Sequence, residues 1–195
     1  YGSAAGEPLW NGVVYVTDLG ASTPNKNKGL LLQDRMYLPS TKEPYVAPGG
    51  GLTFVSNHPI YIQGDYNTGG TPASNSGGAQ WYVNGYTPDP AYPVWPAAVM
   101  GDAVTILSNK WSTTYNGTSA GNPGSRTASS TTVNAALLSG NVPSNKSNGI
   151  SYSGGVENFL RLIEDWSGSG VYLTYYGSMI CLFPSQYANS PWRGN

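Results

Sequence analysis

Ile60-Tyr61-Ile62-Gln63-Gly64-Asp65-Tyr66-Asn67 and Val99-Met100-Gly101-Asp102-Ala103-Val104-Thr105-Ile106 share one pattern: a short apolar run, a Gly-Asp pair, and a second short run. Two later stretches repeat it: Thr132-Val133-Asn134-Ala135-Ala136-Leu137-Leu138, and Thr174-Tyr175-Tyr176-Gly177-Ser178-Met179-Ile180-Cys181-Leu182. Runs of four or so β-branched and aromatic residues bounded by Gly, Asp or Asn read as strands, and Gly or Asn between them admits backbone bends that a β-branched residue resists. The structural corners are therefore Gly64, Asp65, Gly101, Asp102, Asn134 and Gly177, and successive copies lie 33 to 43 residues apart. A strand–corner–strand unit recurring at that period predicts a parallel β-helix, a solenoid whose coils stack with equivalent corners in one column. The alternative is a Greek-key β-sandwich in which the Gly-Asp pairs coincide by chance.

Working outward, Val13–Val16, Leu30–Leu32 and Leu52–Val55 also read as strands, punctuated by Asn11-Gly12, by Pro48 followed by Gly49-Gly50-Gly51, and by Asn57-His58-Pro59. Polar stretches over residues 66–96, 112–130 and 139–153 read as long loops, which stacked repeats tolerate. One segment breaks the strand pattern. Val156, Phe159, Leu160, Ile163 and Trp166 recur at helical spacing, with Glu157, Arg161, Glu164 and Asp165 between them, so an amphipathic helix is predicted near 155–167, with Arg161 pairing Glu157 and Asp165. Phe159 and its stripe would cover one face or one open end of the β core.

Composition agrees with a turn-rich β protein. The 195 residues include Gly 26 and Pro 15, and only 10% are charged against about 25% in an average soluble protein. With 39% hydrophobic residues, Trp 6 and Tyr 15, the chain has apolar area enough to fold, as a single β-rich domain over 1–195. The formal net charge is −1 and the basic residues are scattered, which argues against nucleic acid as a partner. No apolar run approaches the ~18–20 residues of a membrane helix, so no membrane insertion is expected of these residues. Scarce charge, abundant small polar residues and Tyr, and a start at Tyr1 without Met suggest export and an extracellular or cell-surface location. The single Cys181, within Met179-Ile180-Cys181-Leu182-Phe183, reads as a buried small hydrophobe.

The chemistry-bearing residues are sparse. A Ser–His–Asp site needs a histidine, and the only one, His58, precedes Pro59 in a turn. One His and one Cys leave no zinc spacing, and no calcium-loop pattern is present, so no metal or cofactor is expected. Asp65 and Asp102 would stack if their corners were equivalent, and a stacked carboxylate pair could bind calcium or catalyse; the plainer reading has each bonded to backbone N–H groups. The expectation is a protein without enzymatic activity. Asn116 and Asn145 open glycan-acceptor patterns.

The segments Asn57–Asn67, Pro96–Ser108, Thr131–Ala136, Gly154–Phe159 and Tyr176–Met179, with Tyr187-Ala188 and Pro191-Trp192, carry a resemblance. They resemble the extracellular domain of a widespread, poorly characterised family of bacterial envelope proteins, pilin-like and associated with type IV pilus assembly. That resemblance implies no known reaction. It implies a structural role: a homo-polymer at the cell surface, a pilus-like fimbria or filament with adhesion and glycan contact as further expectations. The candidate interface is aromatic. Trp10, Val13 and Tyr15 lie on a strand able to be donated to another chain, and Trp81, Tyr82, Tyr86, Tyr92 and Trp95 form a dense aromatic loop. The alternative function is a carbohydrate-binding or polysaccharide-cleaving β-helix, with the same rings stacking on sugars.

Overall fold

The computed structural model describes residues 12–17, 29–33, 51–68, 96–112, 123–141 and 159–187. The protein is mostly β with almost no helix: among the described residues one 3-10 turn, Pro123–Ser125, accompanies eleven strands. These are β1 (Val13–Val16), β2 (Leu30–Gln33), β3 (Leu52–Ser56), β4 (Ile60–Gln63), β5 (Ala97–Gly101), β6 (Val104–Leu107), β7 (Thr131–Asn134), β8 (Ala136–Asn141), β9 (Leu160–Leu162), β10 (Leu173–Tyr176) and β11 (Met179–Pro184). They form three sheets, ordered β1-β3-β5-β8-β11, β2-β4-β6-β9 and β10-β7. Every described strand pair is parallel. A Greek-key sandwich requires antiparallel neighbours, so that alternative does not describe this chain.

The register aligns like residues across each sheet. In the four-stranded sheet Leu30, Ile60, Val104 and Leu160 form one row, and Leu32, Ile62, Ile106 and Leu162 form another. In the five-stranded sheet Val14, Phe54, Val99, Leu137 and Met179 line up. These rows meet in the core, where Ile60, Ile62, Val99, Val104, Ile106 and Leu137 have no exposed surface. Tyr66, bridged in parallel to Val133, and Tyr175, paired with Val133 from β10, bring the third sheet into contact with them. Burial alternates along β2 and β4, because strand side chains alternate, whereas β6 and β7 are buried at every position. Leu31, for example, is 47% exposed between two core leucines. Each fully buried aliphatic side chain contributes about 1.5–3 kcal/mol, so these rows are the main source of stability.

The corner residues occupy junctions between strands, but not one column. Gly64 and Asp65 follow β4, where the Gly64 amide donates to Leu107 at the end of β6. Gly101 ends β5 and Asp102 follows it, with the Asp102 amide on the carbonyl of His58. Asn134 ends β7, and Gly177 lies between β10 and β11, beside Ala135. Three kinds of junction are therefore present, and the expected single stack of Gly64, Gly101, Asn134 and Gly177 resolves into them. The reason is that the chain changes sheet at different places, so Gly-Asp marks a tight bend rather than one bend. Gly101 shows why glycine is needed: an added Cβ would lie 2.9 Å from Ile60 Cγ1 and 3.2 Å from the His58 carbonyl.

None of the described residues of the helix expected near 155–167 is helical, and the middle of the segment is a strand. Leu160, Arg161 and Leu162 form β9, paired in register with Val104, Thr105 and Ile106. An isolated helix shorter than about 12–15 residues is marginal in water, and β9 instead extends two core rows while turning Arg161 outward. Val156 and Glu157 lie outside the described residues; Phe159 is buried, as the stripe reading required of it. Asp165 bonds to Ser167 rather than to Arg161, accepting from its amide at 2.9 Å and its hydroxyl at 2.7 Å. The third expected loop also begins later than predicted, since Ser139–Asn141 belong to β8. Cys181 is exposed, not buried, because β11 is an edge strand with no described neighbour beyond it.

The in–out alternation has a direct test in chemical denaturation. Ile106→Ala should cost about 2–5 kcal/mol as a core cavity, whereas Leu31→Ala, on the outer face of the same sheet, should cost under about 1 kcal/mol. Gly101→Val should also lower the midpoint. Equal effects at Ile106 and Leu31 would contradict the register.

Candidate functional site

The acidic residues at the junctions are each engaged by the backbone around them. Asp65 is buried, its Oδ1 accepts from the Thr132 amide at 2.8 Å, and its own amide donates to Asn109 Oδ1 at 3.1 Å. Burial pushes its carboxyl above the ordinary range, against the lowering effect of the Thr132 amide and the Asn109 side chain. Glu164 is also buried: Oε2 accepts from the Ser108 amide at 2.6 Å and Oε1 from the Ser108 hydroxyl at 2.7 Å. Its carboxyl is raised as well, by burial, with Ser108 and the charge of Arg126 acting the other way. Arg126 is itself buried, and its Nε donates to the Ile163 carbonyl at 2.8 Å.

Asp102 holds the turn that follows the last strand. Its Oδ1 accepts from the Gln186 amide at 2.7 Å, and its Oδ2 accepts from the Ser185 hydroxyl at 2.6 Å and the Tyr187 amide at 3.0 Å. His58 is buried beside that turn, its ring centroid 5.0 Å from that of Tyr187. Asp65 and Asp102 thus sit at different junctions with different partners, and the stacked carboxylate pair does not form. What the sequence pattern missed was the sheet to which each corner belongs. Among the described residues no group of three His, Cys, Asp or Glu side chains could hold a metal ion. The arrangement is that of anchors for bends, with oxygen atoms spent on the protein's own N–H and O–H groups.

A second reciprocal bond joins two bends. Asn67 Nδ2 donates to the Asn134 carbonyl at 2.8 Å and Asn134 Nδ2 to the Asn67 carbonyl at 2.9 Å. Asn67 has φ of 53°, a left-handed bend that asparagine tolerates better than most residues. Its role as a corner was not read from the sequence, although it directly follows Gly64-Asp65-Tyr66.

Among the described residues, the last strand of the five-stranded sheet has no further strand paired to it. Every residue of β11 is exposed, with Met179 at 50%, Leu182 at 54% and Phe183 at 41%. At the opposite edge, β1 exposes Val13 and Tyr15, the latter to 61%. Neither strand carries a charged residue. Of the expected interface, Val13 and Tyr15 therefore lie on an exposed edge, while Trp10, Trp81, Tyr82, Tyr86, Tyr92 and Trp95 lie outside the described residues. The structure adds β11, in which the sequence predicts Cys181 to be buried; the signal available is its position as the last strand of the repeat.

No protein-family model, curated protein or solved structure matches this chain.

The buried carboxylates make stability depend on pH with a definite sign. Asp65 and Glu164 hold their protons in the folded protein to higher pH than in the unfolded chain. The folded state therefore binds more protons across the window from the ordinary carboxylate values, 3.8 and 4.5, up to their raised values, and stability falls as pH rises through it. Asp165, lowered by its bonds to Ser167, acts oppositely and only below 3.8. Thermal melts should shift upward as pH falls through the raised values towards the ordinary carboxylate range, and Glu164→Gln should reduce that shift. A melting temperature independent of pH in this window, or unchanged pH dependence in the variant, would contradict the assignment.

Proposed function

We propose that this chain is a non-enzymatic extracellular structural protein, a parallel β-solenoid that assembles with copies of itself into a pilus-like or surface filament. The observation that carries the proposal is β11, an edge strand in which every residue is exposed and none is charged. An apolar sheet edge offers unpaired N–H and C=O groups to any strand that can reach it, and natural monomers usually blunt such an edge with charge. Here little repulsion opposes contact between copies, since only 10% of residues are charged.

The solenoid reading is supported by the order in which the chain visits its sheets. β1, β3, β5, β8 and β11 return to one sheet, β2, β4, β6 and β9 to a second, and Tyr66, β7 and β10 to a third position. All described neighbours are parallel, as stacked coils require. The resemblance to pilin-like envelope proteins belongs to the same proposal, as does the cell-surface location. The sugar-binding alternative leans on Trp81 to Trp95, outside the described residues, and no described feature favours it.

Sedimentation and negative-stain microscopy of the purified protein test the proposal. Particles should grow with concentration and persist in about 1 M NaCl, where exposed charge pairs are screened beyond about 3 Å. Ile180→Lys places a charge in the middle of β11 at a position already 38% exposed, so it should abolish assembly with little change in melting temperature. A wild-type protein that stays monomeric at every concentration would refute the proposal.

A further inference from the structure

We infer that assembly is one-way: the open edge of β11 takes the β1 edge of a second copy as its next parallel strand, with Tyr15 of the incoming copy opposite Ile180. This rests on the self-assembly reading and names the contact that produces it.

The backbone determines the register. Leu137 of β8 donates to the Ser178 carbonyl at 2.8 Å, and Leu137 is opposite Met179. Peptide groups along a strand point alternately to its two sides, so Met179 and Cys181 direct N–H and C=O away from β8, to the open side. At the other edge Thr53 donates to the Gly12 carbonyl at 2.7 Å and lies opposite Val13, which turns the backbone groups of Tyr15 away from β3. A parallel pair with Tyr15 opposite Ile180 then closes both bonds. The Tyr15 amide donates to the Met179 carbonyl, and the Cys181 amide donates to the Tyr15 carbonyl.

This register continues the sheet's own rows. Tyr15, Val55, Met100, Leu138 and Ile180 already line up across five strands, and one step further on Val16 pairs Ser56 at one edge while Gly101, Ser139 and Cys181 line up at the other. The new copy's Tyr15 and Val16 extend those rows by one strand, about 4.8 Å further on. The two edges are opposite ends of one all-parallel sheet, so a simple translation pairs them, and each added copy presents a fresh β11. A heterologous contact that does not close yields an open filament.

A two-fold dimer of β11 with itself is the competing geometry, and β11 opposes it. The pairing with β8 shifts register between Cys181 and Phe183, and Pro184 has no amide to donate. An antiparallel β11 pair would set Pro184 and the bulge against the first half of the partner strand. Addition of β1 uses only Met179–Cys181, before the bulge. The contact is short, so assembly is weak per copy and strongly dependent on concentration.

The sole native thiol reports the geometry. In Val16→Cys, each copy carries a thiol at both edges, and a short bis-maleimide should join neighbouring copies into a ladder of dimers, trimers and higher species on denaturing gels. Val13→Cys, three residues out of register, should give a ladder several-fold weaker. Tyr15→Pro removes only an outward amide and should prevent assembly while the monomer melts as the wild type does. Ready cross-linking of the wild type into dimers through Cys181, which the one-way contact holds several strands apart, or particles of Val16→Cys that yield no ladder, would overturn the one-way contact while leaving self-assembly standing. Failure of the wild type to assemble at all would remove both. If Val16→Cys does not fold, assembly of Tyr15→Pro at wild-type concentration would overturn the inference by itself.

Discussion

The rest of the structure depends on in-register parallel stacking of aliphatic side chains. Once Ile60 lies beside Val104, and Val104 beside Leu160, the strands between them have their neighbours, direction and buried face decided together. A slip by one residue would place Leu31, Tyr61 and Arg161 in the core and turn the core rows away from it. The penalty is largest at Arg161, whose guanidinium is already partly desolvated and held below its ordinary range by burial. The register is thus protected by what it excludes as well as by what it buries.

Parallel strands need connections that leave one sheet and return, and each departure exposes backbone groups that must be satisfied. The short polar side chains at the bends answer that need. Asp65 takes the amide of Thr132, Glu164 that of Ser108, and Asp102 those of Gln186 and Tyr187. Asn67 and Asn134 exchange amides. The same solution explains why acidic groups that look available for catalysis in the sequence are occupied in the fold.

Strands β1 to β4 were legible in the sequence because they are short apolar runs with turn residues at both ends, and the parallel order was legible in the recurrence of strand, corner and strand. Two things were not. Leu160 and Leu162 fit a period of two as well as Phe159, Leu160 and Ile163 fit a helix, and only the neighbouring β6 decides between them. The corners looked alike because Gly-Asp bends a chain in any sheet, so sequence spacing could not assign Gly64 and Gly101 to different junctions. For the candidate site, Tyr15 was legible as an exposed edge residue, while β11 was not: Met179-Ile180-Cys181-Leu182-Phe183 has the composition of a core strand, and only its place at the end of the sheet exposes it.

β11 is an edge strand with the composition of a core strand, and amide hydrogen exchange measured at low and high protein concentration tests this most directly. The account predicts slow exchange throughout β6 at both concentrations. The amide of Cys181 should exchange fast when the protein is dilute and become protected when it is concentrated. Protection of Cys181 matching that of β6 in dilute solution, or fast exchange there in fully assembled material, would contradict it.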